Sequence, residues 1–264
     1  HYWRFVPAGT YLIGAWAEYD PYAGPMQRDQ WSELAAVHSF WLARLPVTVA
    51  QFRRFVIEGY SDDTYWTAHG LIWRREHGTA KTWDDNHGAN LPAASANWYE
   101  ATAYCRWLNA RYGAALPAEY IVRLPSEAEW EIAATYDGTN QRRPHPWGSA
   151  DLTVEHAATA IWRLSSPAPV GLCPAGMAAC GALDLIGGCR EWSGSAEASY
   201  PKWATNLVDD HPLRQSVAPL SVPLRGVSWR ESRAAPSNGA RSASWPDTRL
   251  TDTGFRLALA PRPG

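Results

Sequence analysis

The sequence predicts an α+β fold in which a few helices lie around small antiparallel sheets, with much ordered irregular chain. Three segments combine a helix N-cap residue, a Glu or Gln three positions later and apolar residues at helical spacing. Other apolar runs are short and lie between Gly and Pro turns, which is typical of brief strands. No linker or repeat period divides the 264 residues, so one domain over residues 1–264 is expected.

Each predicted helix begins at a pair of residues whose side chains bond each other's backbone N–H groups. The pairs are Thr48 with Gln51, Asn97 with Glu100, and Ser126 with Glu129. Gly59 is expected to end the first helix in a left-handed C-cap, and Gly113 to end the second. We expect Glu127, Glu129 and Glu131 to be capping or solvent-exposed groups rather than catalytic carboxylates.

The predicted strands are four short runs separated by long irregular segments. They are RFVPAGTYLIG at the start, SFWLARLPVT near residue 40, LRGVSW at 224–229 and GFRLALA at 254–260. Residues 60–96 and 136–180 show neither period and are predicted to be loops. The chain has 16 Trp, and such rings, each burying about 150–250 Å² when packed, can hold loops in place.

Charge and hydropathy exclude two classes of partner. The 24 Lys and Arg against 26 Asp and Glu give a formal charge of −2, whereas binding a nucleic acid requires a basic surplus. No run reaches the roughly 18 apolar residues of a membrane-spanning helix. No basic stretch followed by an apolar stretch opens the sequence, so no signal peptide is expected within it. We therefore expect a soluble protein with no nucleic-acid partner and no membrane insertion, and the sequence leaves its compartment open.

Four cysteines are too few for a disulfide scaffold, and none lies in a C-x-x-C pair that would indicate zinc. Cys173 and Cys180 are close enough in sequence either to bridge a short loop or to remain free thiols.

Several segments, in order along nearly the whole chain, together resemble one known family. They are VPAGTYLIG, LPVTVAQFRRFV, SANWYEATAYCRWLNAR, VRLPSEAEWEIAA, HPWG, ACGALDLIGGCREW, LRGVSW and ARSASWPDTRLTDTGFRLA. The family is the formylglycine-generating-enzyme, or sulfatase-modifying-factor, superfamily. The resemblance implies a C-type-lectin-like fold. It leaves the function open, because this scaffold hosts oxidases, iron-dependent oxygenases and binding proteins.

The residues that catalytic members of this superfamily use are missing from the sequence. The formylglycine-forming enzymes use a cysteine pair near the C-terminus, because two thiolates bind copper(I). The corresponding residues 236–245 contain no cysteine. The oxygenases of thiohistidine biosynthesis use a histidine triad on an additional helical domain, and no two of the eight histidines here are three or four residues apart. We therefore expect no catalytic residue, no enzymatic activity and no required cofactor.

The C-terminal segment, RGVSWRESRAAPSNGARSASWPDTRLTDTGFR, resembles the variable region of proteins that retroelements diversify. The resemblance implies that residues 225–256 form a variable ligand-binding segment on a rigid scaffold. Side chains of mixed size and polarity, as a binding surface requires, alternate there with residues that build turns and ion pairs. The expected ligand contacts are Val227, Arg230, Glu231, Ser232, Ser244, Trp245, Thr248, Leu250, Thr251 and Asp252. The expected supporting residues are Trp229, Arg241, Asp247 and Arg249.

The favoured function is therefore non-enzymatic binding of an unidentified macromolecule, expected to be a protein. A metal- or thiol-dependent oxidase or oxygenase of the same superfamily is the first alternative, and a catalytically inactive accessory domain with one fixed partner is the second. An ordinary solvated loop would have a composition similar to that of residues 227–252.

Calcium is the one cofactor that the sequence suggests. ALDLIGGCREW, residues 182–192, resembles a G-N-x-x-E-W turn that holds calcium in several family members. Gly188 stands where Asn is expected, which removes one of the six to eight oxygens that calcium takes. Glu191 would be the side-chain ligand. In the alternative interpretation, Glu191 pairs with an arginine and Trp192 fills the core.

Overall fold

The computed structural model describes residues 1–14, 32–78, 80, 88–196, 204–210, 221–231 and 238–262. These ranges contain the helices α1 (Val49–Glu58), α2 (Ala68–His77), α3 (Trp98–Tyr112) and α4 (Glu127–Thr135). The strands are β1 (Trp3–Val6), β2 (Gly9–Gly14), β3 (Ser32–Val37), β4 (Phe40–Ala43), β5 (Tyr120–Arg123), β6 (Arg190–Trp192), β7 (Val222–Arg225), β8 (Arg241–Ser244), β9 (Thr253–Gly254) and β10 (Ala258–Pro261). Few helices and small sheets confirm the predicted fold class. Within these ranges, no helix is both long and apolar enough to cross a membrane.

The strands form three small sheets. The first is antiparallel in the order β1, β4, β10, β5, so the last strand lies between two earlier ones. The second is the antiparallel pair β2 and β3. The third has the order β8, β7, β6, β9, and its β6–β9 pair is parallel rather than antiparallel. Because β8, β9 and the end of β7 belong to residues 225–256, this sheet holds the predicted ligand-binding segment.

The three predicted capping pairs all form, and each helix begins where the sequence predicts. Gly59 ends α1 at φ −139°, outside the left-handed region that was expected. A Cβ on Gly59 would lie 2.5 Å from the Trp107 ring, so close packing requires glycine there.

Helix α2 lies within residues 60–96, where the sequence predicted a loop. Thr67 caps its N-terminus, and its only buried residues are Gly70 and Trp73. Two buried positions are too few to produce a visible helical period, which explains the error. In residues 136–180 the prediction is confirmed, since the structure there has only the short 3₁₀ turns Ala160–Trp162 and Pro174–Gly176.

Aromatic rings fill the main core between α1, α3 and the C-terminal segment. Phe52 and Phe55 of α1 lie 5.7 and 5.8 Å from the Tyr104 ring of α3. The Phe255 ring lies 5.9 Å from Phe52 and is fully buried. Because Phe255 belongs to residues 225–256, this packing fixes the end of that segment.

The four cysteines are free thiols. Cys173 and Cys180 therefore do not form a bridge: their thiols donate instead to the carbonyl oxygens of Val154 and Ala133, at 3.8 and 3.4 Å.

Asp184 carries a half-buried carboxylate and lies in left-handed backbone, at φ 59°. It accepts the N–H of Gly171 at 2.6 Å. Burial raises the pKa of Asp184 to about 6, against the lowering effects of this hydrogen bond and of the Arg256 charge. The folded protein therefore binds this proton more tightly than the unfolded chain, so stability is lost as the pH rises from about 4 to about 6.

We predict that Asp184→Asn stabilises the protein at pH 7.5 and has little effect at pH 4. The difference between 3.8 and about 6 corresponds to at most roughly 3 kcal/mol. Asn keeps the hydrogen-bond acceptor and tolerates positive φ. Urea unfolding at the two pH values measures the effect, and a variant that is less stable at both would contradict the prediction.

Candidate functional site

Four arginines of the C-terminal segment form ion pairs with carboxylates of the preceding chain. The pairs are Arg225 with Glu131 at 2.7 Å, Arg241 with Glu127 at 2.5 Å, Arg249 with Glu100 at 2.6 Å and Arg256 with Glu191 at 2.6 Å. Each of the four carboxylate side chains is at most 1% exposed. The pairs therefore tie residues 225–256 to α3, α4 and β6.

The expectation that the acidic residues of α4 include solvent-exposed groups is wrong. Glu127, Glu129 and Glu131 are all buried. Glu129 does cap α4, and it also pairs with Arg123 at 2.6 Å. Glu131 bonds the fully buried Arg225. A charged residue near a helix N-terminus looks solvent-exposed in the sequence because its partner arginine lies about one hundred positions later.

Glu100 of α3 has two roles, of which the sequence predicted one. It completes the capping pair by accepting the backbone N–H of Asn97 at 2.9 Å. It also accepts from Arg249 at 2.6 Å and from the Tyr60 hydroxyl at 3.0 Å. The Arg249 guanidinium lies 4.9 Å from the centre of the Trp73 ring, so it is packed as well as paired. Arg249 is therefore fixed by an ion pair and by a ring contact, and its role in supporting a ligand-binding surface stays a prediction.

The predicted calcium ligand, Glu191, is fully engaged by protein donors. Arg256 donates to both carboxylate oxygens at 2.6 and 2.7 Å, and the Trp130 indole N–H donates at 2.7 Å. Among the described residues, no group of three His, Cys, Asp or Glu is placed to hold a metal ion. Glu191 is therefore not free to serve as the side-chain ligand of a calcium ion. The alternative interpretation holds, because Glu191 pairs with an arginine and Trp192 is fully buried.

Seven of the expected ligand contacts lie at least partly at the surface, and we call them the C-terminal surface residues. Arg230 and Thr251 are exposed, and the partly exposed ones are Glu231, Ser244, Trp245, Thr248 and Leu250. The Arg230 guanidinium lies 4.9 Å from the centre of the Trp229 ring, which is itself buried. The Trp229 ring therefore lies against the Arg230 guanidinium, and its role in supporting a ligand contact stays a prediction. Ser232 lies outside the described residues.

Two expected contacts are not at the surface. Val227 is 0% exposed and packs with Ala157, Ile186 and Ala240. Asp252 is 9% exposed and accepts two hydrogen bonds from Arg190, at 2.9 and 3.0 Å. Their inclusion among the displayed side chains is therefore wrong. Both residues lie close in the sequence to surface residues. In irregular chain, such neighbours do not show whether a side chain points outward or into the core.

Arg190 connects separate parts of the C-terminal segment, a role that no pattern in the sequence indicates. Besides Asp252, it donates to the Ser242 hydroxyl at 3.3 Å, and its Nε lies 3.9 Å from a Glu231 oxygen. The Ser228 hydroxyl donates to the same Asp252 carboxylate at 3.1 Å. This network holds β6, the turn after β7, β8 and the start of β9 in fixed positions, while Arg190 itself stays partly exposed.

The thiols of the chain do not resemble a copper site. Burial raises the pKa of Cys105 to about 12 and that of Cys173 to about 11. Burial also raises the pKa values of Cys180 and Cys189. Because the thiolate is the metal ligand and the nucleophile, these environments disfavour thiol chemistry.

The fold and the arginine-anchored segment define a C-type-lectin-like protein of the formylglycine-generating-enzyme type. The chain belongs to the family described as "Sulfatase-modifying factor enzyme 1-like domain", whose model matches residues 4–261. A solved structure, Treponema denticola variable protein 1, has a TM-score of 0.65 and covers 98% of this chain and 95% of its own, at 20% identity. At that identity the similarity shows the fold alone. Both findings confirm the resemblance stated from the sequence.

Hercynine oxygenases are similar to this chain in sequence. That of Mycolicibacterium thermoresistibile is 30% identical over 266 residues, which cover 94% of this chain and 56% of the relative. That of Mycolicibacterium smegmatis is 28% identical over 271 residues, covering 96% and 60%. The chain thus spans less than two thirds of these relatives.

These relatives overturn two expectations from the sequence. Proteins that match almost the whole chain are named as oxygenases, so the expectation of a non-enzymatic protein is wrong. The same relatives contradict the expectation that no cofactor is required, because an oxygenase relies on a group that activates dioxygen.

We predict that Glu131→Gln destabilises the protein by about 3 kcal/mol, because Arg225 would keep a buried charge without its full partner. Glu58→Gln is the matched control, since Glu58 pairs with the exposed Arg54 and Arg111 and should cost less than about 1 kcal/mol. Urea unfolding of both variants measures the difference. Equal losses would show that burial of the Arg225 pair has no special effect.

We predict that the triple variant Arg230→Ala, Ser244→Ala, Thr251→Ala melts within about 3 °C of the parent protein, because surface substitutions change stability little. Val227→Asp should lower the melting temperature far more, since it buries an unpaired charge. Thermal unfolding followed by circular dichroism compares them. A large loss in the triple variant would mean that these side chains hold the fold together.

Proposed function

We infer that this chain is a domain of an oxygenase and that its C-terminal surface residues bind the substrate. The observation that carries this proposal is the 28–30% identity to hercynine oxygenases over 94–96% of the chain. An identity that extends over nearly the whole chain favours a shared role more than a local motif would. Since the chain spans 56–60% of these relatives, the remaining part of such an enzyme lies outside the aligned region.

The chemistry of the surface suits a small polar substrate with a carboxylate, such as hercynine. Arg230 is exposed and offers a guanidinium, which pairs with a carboxylate through two parallel hydrogen bonds. Trp245 offers partly exposed ring surface, and Ser244 and Thr248 offer hydroxyl groups. Because the buried ion pairs fix the backbone beneath these side chains, binding needs little further ordering of the backbone.

The described residues do not fit an oxygen-activating metal. They contain no cluster of three potential ligands, and burial raises the pKa of each cysteine thiol. Substrate binding is therefore the part of the reaction that we propose for this chain. In the thiohistidine oxygenases the histidine triad lies on an additional helical domain. Binding of substrate by this chain and activation of oxygen by another domain would agree with that arrangement.

The similarity to the Treponema variable protein does not support a different function. At 20% identity it concerns the scaffold, which is common to proteins with unrelated activities.

We predict hercynine-dependent oxygen consumption by the protein produced from its complete reading frame, assayed with Fe(II) and a small thiol. Arg230→Ala should raise KM for hercynine about tenfold or more and leave kcat nearly unchanged, because it removes a contact that does not take part in the chemistry. Arg54→Ala, which removes another exposed arginine, is the matched control.

Calorimetric titration of hercynine gives a second readout that does not depend on turnover. The proposal fails if the protein neither consumes oxygen with hercynine nor binds it at millimolar concentration. Equal effects of Arg230→Ala and Arg54→Ala on KM would place the substrate elsewhere on the chain.

A further inference from the structure

A cavity of about 310 Å³ lies between the β1–β2 turn and the C-terminal end of α4. None of the C-terminal surface residues lines it, so it is separate from the substrate surface proposed above. Its volume lies at the lower end of the range of small-molecule sites, roughly 300–1,000 Å³. The lining residues are Phe5 to Tyr11, Ile132, Ala133, Tyr136 to Gly138, Asn140, Ala179 and Cys180.

The wall offers an apolar and aromatic surface. Phe5 is 51% exposed, although phenylalanine is usually buried. Tyr11 and Tyr136 meet edge to face, with ring centroids 4.9 Å apart. Their hydroxyl groups donate to the carbonyl oxygens of Pro7 and Leu12, at 2.9 and 2.6 Å. The phenol protons are therefore used within the protein, and only oxygen lone pairs remain to accept from a ligand.

Asp137 is the one charged residue of the lining, which contains no Lys, Arg or His. One of its oxygens, Oδ1, accepts from the backbone N–H groups of Gln141 and Thr139 and from the Thr139 hydroxyl, at 3.0, 2.8 and 2.7 Å. These hydrogen bonds lower the pKa of Asp137, so its carboxylate is ionised at neutral pH. The second oxygen makes no hydrogen bond within the described part of the chain.

We propose that this cavity binds a small organic cation, an ammonium group on an aromatic or aliphatic body. Aromatic faces beside a single carboxylate are the arrangement that attracts such cations. The ammonium would lie against Asp137, and the body would lie against Phe5, the one aromatic ring of the lining that is exposed. The site is independent of the proposed oxygenase function, so each can fail without the other.

One neighbouring group, the Arg143 guanidinium, would favour an anionic ligand instead of a cation. Arg143 lies outside the lining, and its charge acts on Asp137 and Cys180. Its Nε and Nη2 atoms are buried and have no hydrogen-bond partner in the described part of the chain. If the cavity opens toward this guanidinium, it would take a small organic anion.

Three probes of equal size distinguish these outcomes by calorimetric titration: phenethylammonium, 2-phenylethanol and phenylacetate. We expect phenethylammonium to bind about tenfold more tightly than the alcohol, and phenylacetate to bind most weakly. Asp137→Asn should abolish the preference for the cation while keeping the turn, because an amide oxygen still accepts from Thr139.

Asp62→Asn is the matched control. Asp62 accepts from the Thr64 N–H and hydroxyl in the same way, at 2.9 and 2.7 Å, but lies outside the cavity. Ala179→Trp is the second test variant, since Ala179 is exposed at the wall and a large ring there should block all binding without entering the core.

The proposal is overturned if phenylacetate binds most tightly, if Asp137→Asn binds the cation as the parent protein does, or if none of the probes saturates the parent protein. Loss of binding in Ala179→Trp together with an unchanged Asp62→Asn variant would place the cation in this cavity.

Discussion

The C-terminal segment depends on ion pairs between its arginines and carboxylates that are almost fully buried. Removing one partner of such a pair leaves a buried charge, at a cost of about 3–5 kcal/mol, although the intact pair adds little net stability compared with apolar packing. The pairs therefore act mainly by fixing position. Arg225, Arg241 and Arg249 hold the segment to two helices, and Arg256 holds its end to a central strand.

Because the backbone is fixed in this way, exposed side chains can change without a large effect on the stability of the fold. Arg230 and Thr251 extend from it into solvent, whereas Val227 and Asp252 belong to the frame. Such a surface could serve a display protein or an enzyme equally well, because both need side chains on a rigid support. The oxygenase relatives favour the enzyme, and this chain spans only 56–60% of their length.

Interactions within a few residues of each other were predicted from the sequence, and those between distant residues were not. The capping pairs at Thr48, Asn97 and Ser126 formed because both partners lie within one helical turn. Helix α2 was missed because it buries only two residues. Arg190 was missed because its partners, Asp252 and Ser242, lie 62 and 52 residues away in the chain.

The sequence by itself determined where three helices begin, the fold class and the family, because caps, turns and motifs are local patterns. Only the tertiary structure decided which charged residues are buried. The anchoring pairs join residues between 65 and 149 positions apart, and a single carboxylate on a helix looks the same in the sequence whether it faces water or an arginine. The same reason explains Glu191: its neighbours in sequence suggested a metal ligand, but Arg256 and Trp130, brought close by folding, occupy both of its oxygens.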